Sequence, residues 1–305
     1  MSETVQKLGM GWLPDYPDLR DYTVTTEEVS ERLKTLGQTQ PVKQMLKQAG
    51  LGSPLKSSIP TSFDLRAWCS PIEDQGNLGS CTAHAGVGLV EYFEIKSFNS
   101  YLDAARLFLY KTTRNLLGWT GDTGAFIRTT MGAMALFGVP PEKYWPYLIA
   151  DFDKEPSAFC YAFGQSFQAL TYYKLDPPMT PKDELLDRVK THLAAKLPSM
   201  FGFTVYESIR QAGQTGAIPY PAPKEKVLGG HAVCAVGYDD AKKITNTSPN
   251  GPTTKGALLI RNSWGKAWGE QGYGWLPYEY VLKGLAVDWW SLLKNEWIAT
   301  GQFGI

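Results

Sequence analysis

The stretch QGNLGSCTAHAGVGLVEYFEIK (75–96) carries the first decision about this chain. From Cys81 onward it is apolar nearly all round through its middle, and a helix without a polar face is normally buried. Gly86 and Gly88 lower its intrinsic helix propensity, which points to close packing against neighbours. A Gly-containing turn ends at Cys81, so this cysteine opens the helix. A helix N-terminus carries partial positive charge and favours a thiolate, the nucleophilic form of cysteine. Taken alone, a buried cysteine is more often a small hydrophobe, so partners for it have to be sought elsewhere in the chain.

Around this run, residues 63–165 read as mainly helical, with further helices expected around Asp103–Arg114 and Ile127–Phe137, the second stopped by Gly138 and Pro140. Residues 166–305 read as mixed. KDELLDRVKTHLAAK (182–196) is an amphipathic helix, and MFGFTVY (200–206), HAVCAVGY (231–238) and ALLIRNSW (257–264) are strand-like. TNTSPNGPTTKG (245–256) reads as a hairpin or loop between the last two. Residues 1–58 are polar and irregular, with one helical stretch from Thr26 to Ala49 interrupted by Pro41, and GSPLKSSIPTS (52–62) reads as a linker. Helices first and strands later predict an α+β protein in two lobes, with a ligand cleft between them.

Two further elements supply candidate chemistry. GGHAVCAVGY (229–238) places His231 at the mouth of an apolar strand, behind glycines that permit close backbone approach. LIRNSWGKAWGEQGYG (259–274) places Asn262 at the end of another, where it can accept a hydrogen bond from an imidazole N–H and fix its tautomer. Trp264 and Trp268 are placed to shield that bond from water. In isolation each element reads as bland: a surface histidine, a turn with aromatic packing. The other two histidines are weaker candidates. His84 lies inside the buried helix as a structural residue, and His192 is expected on an amphipathic surface helix.

Together the three elements resemble the papain family of cysteine peptidases over residues about 59 to 300. A Gln six residues before the cysteine, GSC, GHAV and NSWG…WGE.GY occur in the family's order, with separations of 231 − 81 = 150 and 262 − 81 = 181. The resemblance implies a papain-like α+β fold, with a helical lobe (about 70–165), a β-barrel-like lobe (about 166–305) and the active site in the cleft between them. It implies Cys81 as nucleophile, His231 as general base, Asn262 as the group orienting it, and Gln75 with the Cys81 backbone N–H as oxyanion hole. Less securely it implies substrate contacts at Gly124, within GDTGAF (121–126), at Gly230, Ala232 and Trp264. The chain departs from secreted relatives at Leu78, where they carry a disulfide cysteine, and at Thr82, where Trp is usual. Two other readings share the sequence, a non-catalytic papain-fold binding module and a thiol acyltransferase.

Composition narrows the class. Lys plus Arg and Asp plus Glu number 30 each, a formal charge near zero that argues against nucleic-acid binding. MSETVQKLGMGWLPDYPDL lacks a secretory h-region, and no apolar run approaches the ~20 residues of a bilayer span. The expectation is a cytoplasmic monomer acting on protein or peptide substrates, with export by another route left open. Cys69, Cys81, Cys160 and Cys234 form no disulfide or zinc pattern, and Cys234 is expected to be inert and buried. No cofactor or metal is implied. Asp15, Asp18, Asp21, Asp151 and Asp153 form no EF-hand loop and read as solvated surface carboxylates.

The segment 1–58 has two readings. It is an inhibitory pro-segment along the cleft, or an extension that packs on the back of a lobe. Trp12, Leu13, Tyr16 and Leu19 suit either, and GSPLKSSIP (52–60) is the expected place for an activating cut.

Overall fold

The run beginning at Cys81 forms one buried helix, and its two glycines explain how. A Cβ on Gly86 would press on Met134, and one on Gly88 would collide with the guanidinium of Arg261. That guanidinium donates to the Ser70 hydroxyl at 3.0 Å and to the Pro71 carbonyl at 2.7 Å, and Ser70 is bonded to the buried carboxylate of Glu91 on the same helix. A polar knot therefore ties the helix that begins at Cys81 to the strand that ends just before Asn262. Buried polar groups satisfied in this way fix one relative placement of the elements they join.

The computed structural model describes residues 8–51, 59–167 and 171–304. Among them the helices are α1 (Glu31–Thr35), α2 (Val42–Gln48), α3 (Cys81–Phe98), α4 (Arg106–Leu117), α5 (Ile127–Phe137), α6 (Ala158–Gly164), α7 (Lys182–Ala194), α8 (Tyr278–Leu282) and α9 (Asn295–Ala299). The strands are β1 (Ser62–Asp64), β2 (Thr171–Lys174), β3 (Ser199–Tyr206), β4 (Val227–Thr245), β5 (Thr253–Arg261), β6 (Tyr273–Pro277) and β7 (Ala286–Leu293). They form one antiparallel sheet in the order β2-β7-β3-β4-β5-β6, with β1 paired to β4. No pairing closes the ends of that path among the described residues, so the β-rich part is an open, barrel-like sheet. The segment 245–253 is the β4–β5 hairpin, from Thr245↔Thr253 onward.

Helix α5 begins and ends where the sequence predicts, and Gly138 ends it with φ 66°. The stretch Thr26–Ala49 is interrupted as its sequence predicts: α1 ends before Gly37, whose φ is 83°, and Pro41 caps the start of α2. His192 is corrected. It lies on the buried face of α7, with Nδ1 on the Arg188 carbonyl at 2.8 Å. Each of the five aspartates is paired to a cation; Asp18, Asp151 and Asp153 remain surface carboxylates, while Asp15 and Asp21 are largely covered. Asp15 and Asp21 meet Arg128, Asp18 meets Arg20, Asp151 meets Lys154 and Asp153 meets Arg114. Among the described residues no cluster of three metal-ligating side chains occurs, and no helix is long and apolar enough to cross a membrane.

The described parts of the N-terminal segment pack in two separate places. Val42, Met45, Leu46 and Ala49 are buried in the core, where α2 meets α9. Trp12 is buried against Gly202 and Gly230, whereas Tyr16 and Leu19 stand exposed in the loop that follows it. Arg128, at the start of α5, clasps that loop through both carboxylate oxygens of Asp21, at 2.8 and 2.7 Å, through Asp15, and through the Tyr16 carbonyl at 2.9 Å. The linker expected at 52–62 lies for residues 52–58 outside the described residues.

Candidate active site

Strand β4 brings its backbone to the head of α3, where the Ala232 N–H donates to the Cys81 sulfur at 3.3 Å. Its neighbour His231 meets Asn262 with Nε2 to Oδ1 at 2.7 Å. The Ser263 N–H donates to the same Oδ1 at 2.8 Å, which identifies that atom as the acceptor. His231 therefore carries its proton on Nε2, leaving Nδ1 as an acceptor, and Nδ1 is buried without a partner. Trp264 stacks on the imidazole at 4.4 Å and 18°, with Trp268 edge-on behind it at 5.2 Å. The aromatic cover expected from the sequence is thus over the ring itself.

Gln75 is held on every side. Its N–H donates to the Ser263 carbonyl at 2.9 Å, the Ser263 hydroxyl donates to Oε1 at 2.6 Å, and Tyr147 donates to its carbonyl at 3.1 Å. Nε2 then donates to the Leu78 carbonyl at 2.7 Å and to the Met10 carbonyl at 3.3 Å. Ser263 thus fixes both Asn262 and Gln75. It sits inside the quoted NSWG block, yet no local pattern announces that role.

The cleft is filled by the chain's own residues 9–13. Gly11 and Trp12 N–H both donate to the Gly230 carbonyl, at 3.1 and 3.2 Å. Ala125 N–H donates to Gly11 at 2.8 Å, and Leu13 N–H to Ala125 at 3.1 Å, a parallel pairing. Trp264 Nε1 donates to the Gly9 carbonyl at 2.7 Å. Gly230, Ala232 and Trp264 are therefore assembled around Cys81. Gly124 is beside them in a different role: its N–H goes to the Tyr110 hydroxyl at 3.1 Å, and its missing side chain admits the Gly11 carbonyl, while Ala125 makes the backbone pairing.

Covering the cleft reverses the electrostatics expected at the helix start. Cys81 and His231 are fully buried. Burial pushes the Cys81 thiol up to about 12, against N–H groups of Ala232, Thr82 and Trp12 that draw it down. Burial pulls His231 down to about 4, against the Asn262 bond that raises it. Desolvation disfavours both charged forms, so the covered pair is a neutral thiol and a neutral imidazole. Leu78 packs in the core, and all four cysteines are free thiols.

The family description for papain family cysteine protease matches residues 59–281, which is most of the chain. The chain belongs to the papain family of cysteine proteases. A peptidase C1-like protein of Acanthamoeba polyphaga mimivirus is 32% identical over 293 residues, covering 92% of this chain and 86% of that protein. Among solved structures, xylellain, a cysteine protease from Xylella fastidiosa, superposes with a TM-score of 0.71 at 30% identity, covering 94% of this chain and 96% of the other. The Carica candamarcensis cysteine protease CMS1MS2 shares the fold at a TM-score of 0.56 and 22% identity, covering 78% of this chain and 100% of that one. This papain-like cysteine peptidase thus has the two-lobe α+β fold that its sequence resembles.

Proposed function

We propose that the protein is a cysteine endopeptidase made in a self-inhibited form, with residues 59–305 as the peptidase domain and 1–58 as its pro-segment. In the uncovered enzyme Cys81 gives its proton to His231 Nδ1, and the thiolate attacks the scissile carbonyl. Gln75 Nε2 and the Cys81 N–H receive the developing oxyanion, and losing one such donor typically costs ~100- to 1,000-fold in rate. The imidazolium then protonates the leaving amine. Water, deprotonated by His231, attacks the thioester and regenerates the thiol. Asn262 holds the imidazole in the tautomer this sequence needs. Gly230, Ala232, Trp264 and the strand at Gly124–Ala125 bind substrate backbone.

The observation that carries the reading is the bond from His231 Nε2 to Asn262 Oδ1, which leaves Nδ1 free on the ring whose neighbour Ala232 donates to the Cys81 sulfur. The support for self-inhibition is the Met10 carbonyl on Gln75 Nε2, the place a reacting carbonyl would need. An epoxysuccinyl peptide should alkylate Cys81 alone, and Cys81→Ala should abolish peptide hydrolysis while keeping the fold. Activity that survives in Cys81→Ala but disappears in a variant of Cys69, Cys160 or Cys234 would overturn the assignment.

A further inference from the structure

The carboxylate of Asp122 stands between the turn that delivers Cys81 and the strand beside Gly124. Its Oδ1 accepts the Gly79 N–H at 2.8 Å and the Tyr110 hydroxyl at 2.7 Å. The Tyr110 oxygen in turn accepts the Gly124 N–H at 3.1 Å. Two side chains thus connect Gly79 to Gly124 through three hydrogen bonds. The fit at Gly79 is close: a Cβ there would lie 2.8 Å from Asp122 Oδ1 and 3.4 Å from the Gly124 nitrogen.

Helix α4 supplies the rigid end of this bridge. Tyr110 is fully buried, and Arg114, one turn on, places its guanidinium 4.2 Å over the Tyr110 ring. Arg114 donates to the Gly121 carbonyl at 2.5 Å and to Asp153 Oδ1 at 2.7 Å, and the Gly121 N–H donates to Asp153 Oδ2 at 2.9 Å. Residues 121–124 are therefore held at both ends from one face of α4, since residues four apart lie on the same side of a helix. Burial and the neighbouring Asp122 carboxylate keep the Tyr110 hydroxyl protonated far above its ordinary range, so the phenol is the donor to Asp122. A hydrogen bond to a carboxylate is shorter and stronger than one between neutral groups. No covalent tie does this work, since all four cysteines are free thiols.

We infer that Asp122 and Tyr110 are positioning residues, which set the spacing between the nucleophile turn and the strand Gly124–Ala125 that holds substrate backbone. The inference rests on the reading of the protein as a peptidase with that strand in its substrate cleft. Ala125 pairs with Gly11 and Leu13 of the covering segment, and the Gly79 carbonyl lies against Gly11 from the other side. An extended peptide in the same space touches both walls at once. An error of about 1 Å in the distance between those walls moves the scissile carbonyl off the Cys81 sulfur, and misplacement of that size can cost about 100-fold in rate. Neither side chain touches a reacting atom.

The test uses full-length Trp12→Ala protein with two probes, the peptide acetyl-Phe-Arg-aminomethylcoumarin, whose backbone spans both walls, and iodoacetamide, which reaches Cys81 with nothing to pair with the strand. The ratio of kcat/KM for the peptide to the rate constant for alkylation at Cys81 cancels the fraction of molecules with an open cleft. Asp122→Ala and Tyr110→Phe should each lower that ratio by about tenfold. The double variant should fall no further than the worse single one, because both break the same bridge. Asp122→Asn, which keeps an acceptor oxygen for Gly79 and Tyr110, should restore most of the ratio. Asp122 is exposed, so its variants test the bridge even if Tyr110→Phe fails to fold. An unchanged ratio in folded Asp122→Ala overturns the positioning role. So does an equal fall in both rates, which would place the damage at Cys81 and His231. An Asp122→Asn protein as impaired as Asp122→Ala overturns the bridge in favour of charge alone. All three outcomes leave the peptidase reading intact, whereas a folded Trp12→Ala protein that is alkylated at Cys81 but hydrolyses no peptide overturns both.

Discussion

The Met10 carbonyl lies 3.3 Å from Gln75 Nε2, and Trp12, two residues on, donates its indole N–H to Asp288. One short stretch of chain thus places a carbonyl on Gln75 and a large aromatic ring against Gly202 and Gly230 at the same time. Its hold is a sum of backbone bonds to Gly230 and Ala125, the Trp264 bond to Gly9, and burial of one large aromatic side chain.

Trp12→Ala removes the largest of these contributions. Truncating a buried Trp typically costs about 3–5 kcal/mol, and here the loss falls on a local opening rather than on the whole fold. Alkylation of Cys81 in the full chain should accelerate by about 100-fold or more, with little change in the main thermal transition, because Trp12 packs on β3 and β4 from a segment outside the sheet. Unchanged labelling of a folded variant would mean that the segment does not govern access.

The covered state should weaken in acid. Its His231 titrates at about 4, whereas an exposed imidazole titrates near 6.5. Between those values the open form binds more protons than the covered one, so lowering pH through that window favours opening. For one proton the limit is about tenfold per pH unit. Cys81, raised to about 12 when covered, acts in the opposite sense: the helix start favours the thiolate once the cleft is open, so raising pH also favours opening. Exchange protection of the Trp12 amide, corrected for intrinsic rates, should fall as pH is lowered below about 6.5. A His231→Gln variant should lose the acid limb, and an acid limb that survives there would point to another group.

Much of this arrangement is legible in the sequence. Cys81, Gln75, His231 and Asn262 stand in short motifs whose order is informative, and α3 and α5 follow from apolar pattern and glycine stops. What was not legible depends on contacts distant in sequence. Ser263 serves Gln75 from 188 residues away, and the slot for Trp12 needs Gly202 and Asp288 on neighbouring strands, joined by a bulge that no local pattern announces. His192 lies on an amphipathic helix, as its sequence suggests, but on the inward face, where its Nδ1 meets the Arg188 carbonyl. Sequence alone does not separate the two readings of residues 1–58, because Trp12 and the α2 side chains are buried in different places.

Asn262→Ala should reduce kcat of the opened enzyme by less than His231→Ala does. In the proposed mechanism the asparagine sets a tautomer through one bond of 2.7 Å, whereas the histidine carries the proton itself. His231→Ala should cost about 1,000-fold or more, and Asn262→Ala clearly less. Equal losses at unchanged stability would give Asn262 a role beyond orientation.

The position of α2 changes where an activating cut is expected. A break in 52–58, the linker singled out in the sequence, frees one end of a segment whose Val42, Met45, Leu46 and Ala49 remain buried against the body of the protein. Those four side chains have about 1–3 kcal/mol each at stake if they become exposed, so the nicked segment stays docked and keeps residues 9–13 near the cleft. The loop between Leu13 and Glu31 is different: Tyr16 and Leu19 are exposed there, and Arg128 supplies the main clasp. Cutting in this loop severs the cleft-filling residues from their anchor and leaves α2 in place. A chain engineered with a protease site at Leu19–Arg20 should label at Cys81 about 100-fold faster after cutting, as the detached peptide loses the effective concentration that its tether supplied. A site placed at 52–58 should give a much smaller change, and its product should keep residues 8–51 bound through size-exclusion chromatography. If the 52–58 cut alone gives full acceleration, α2 is not the anchor that its burial indicates.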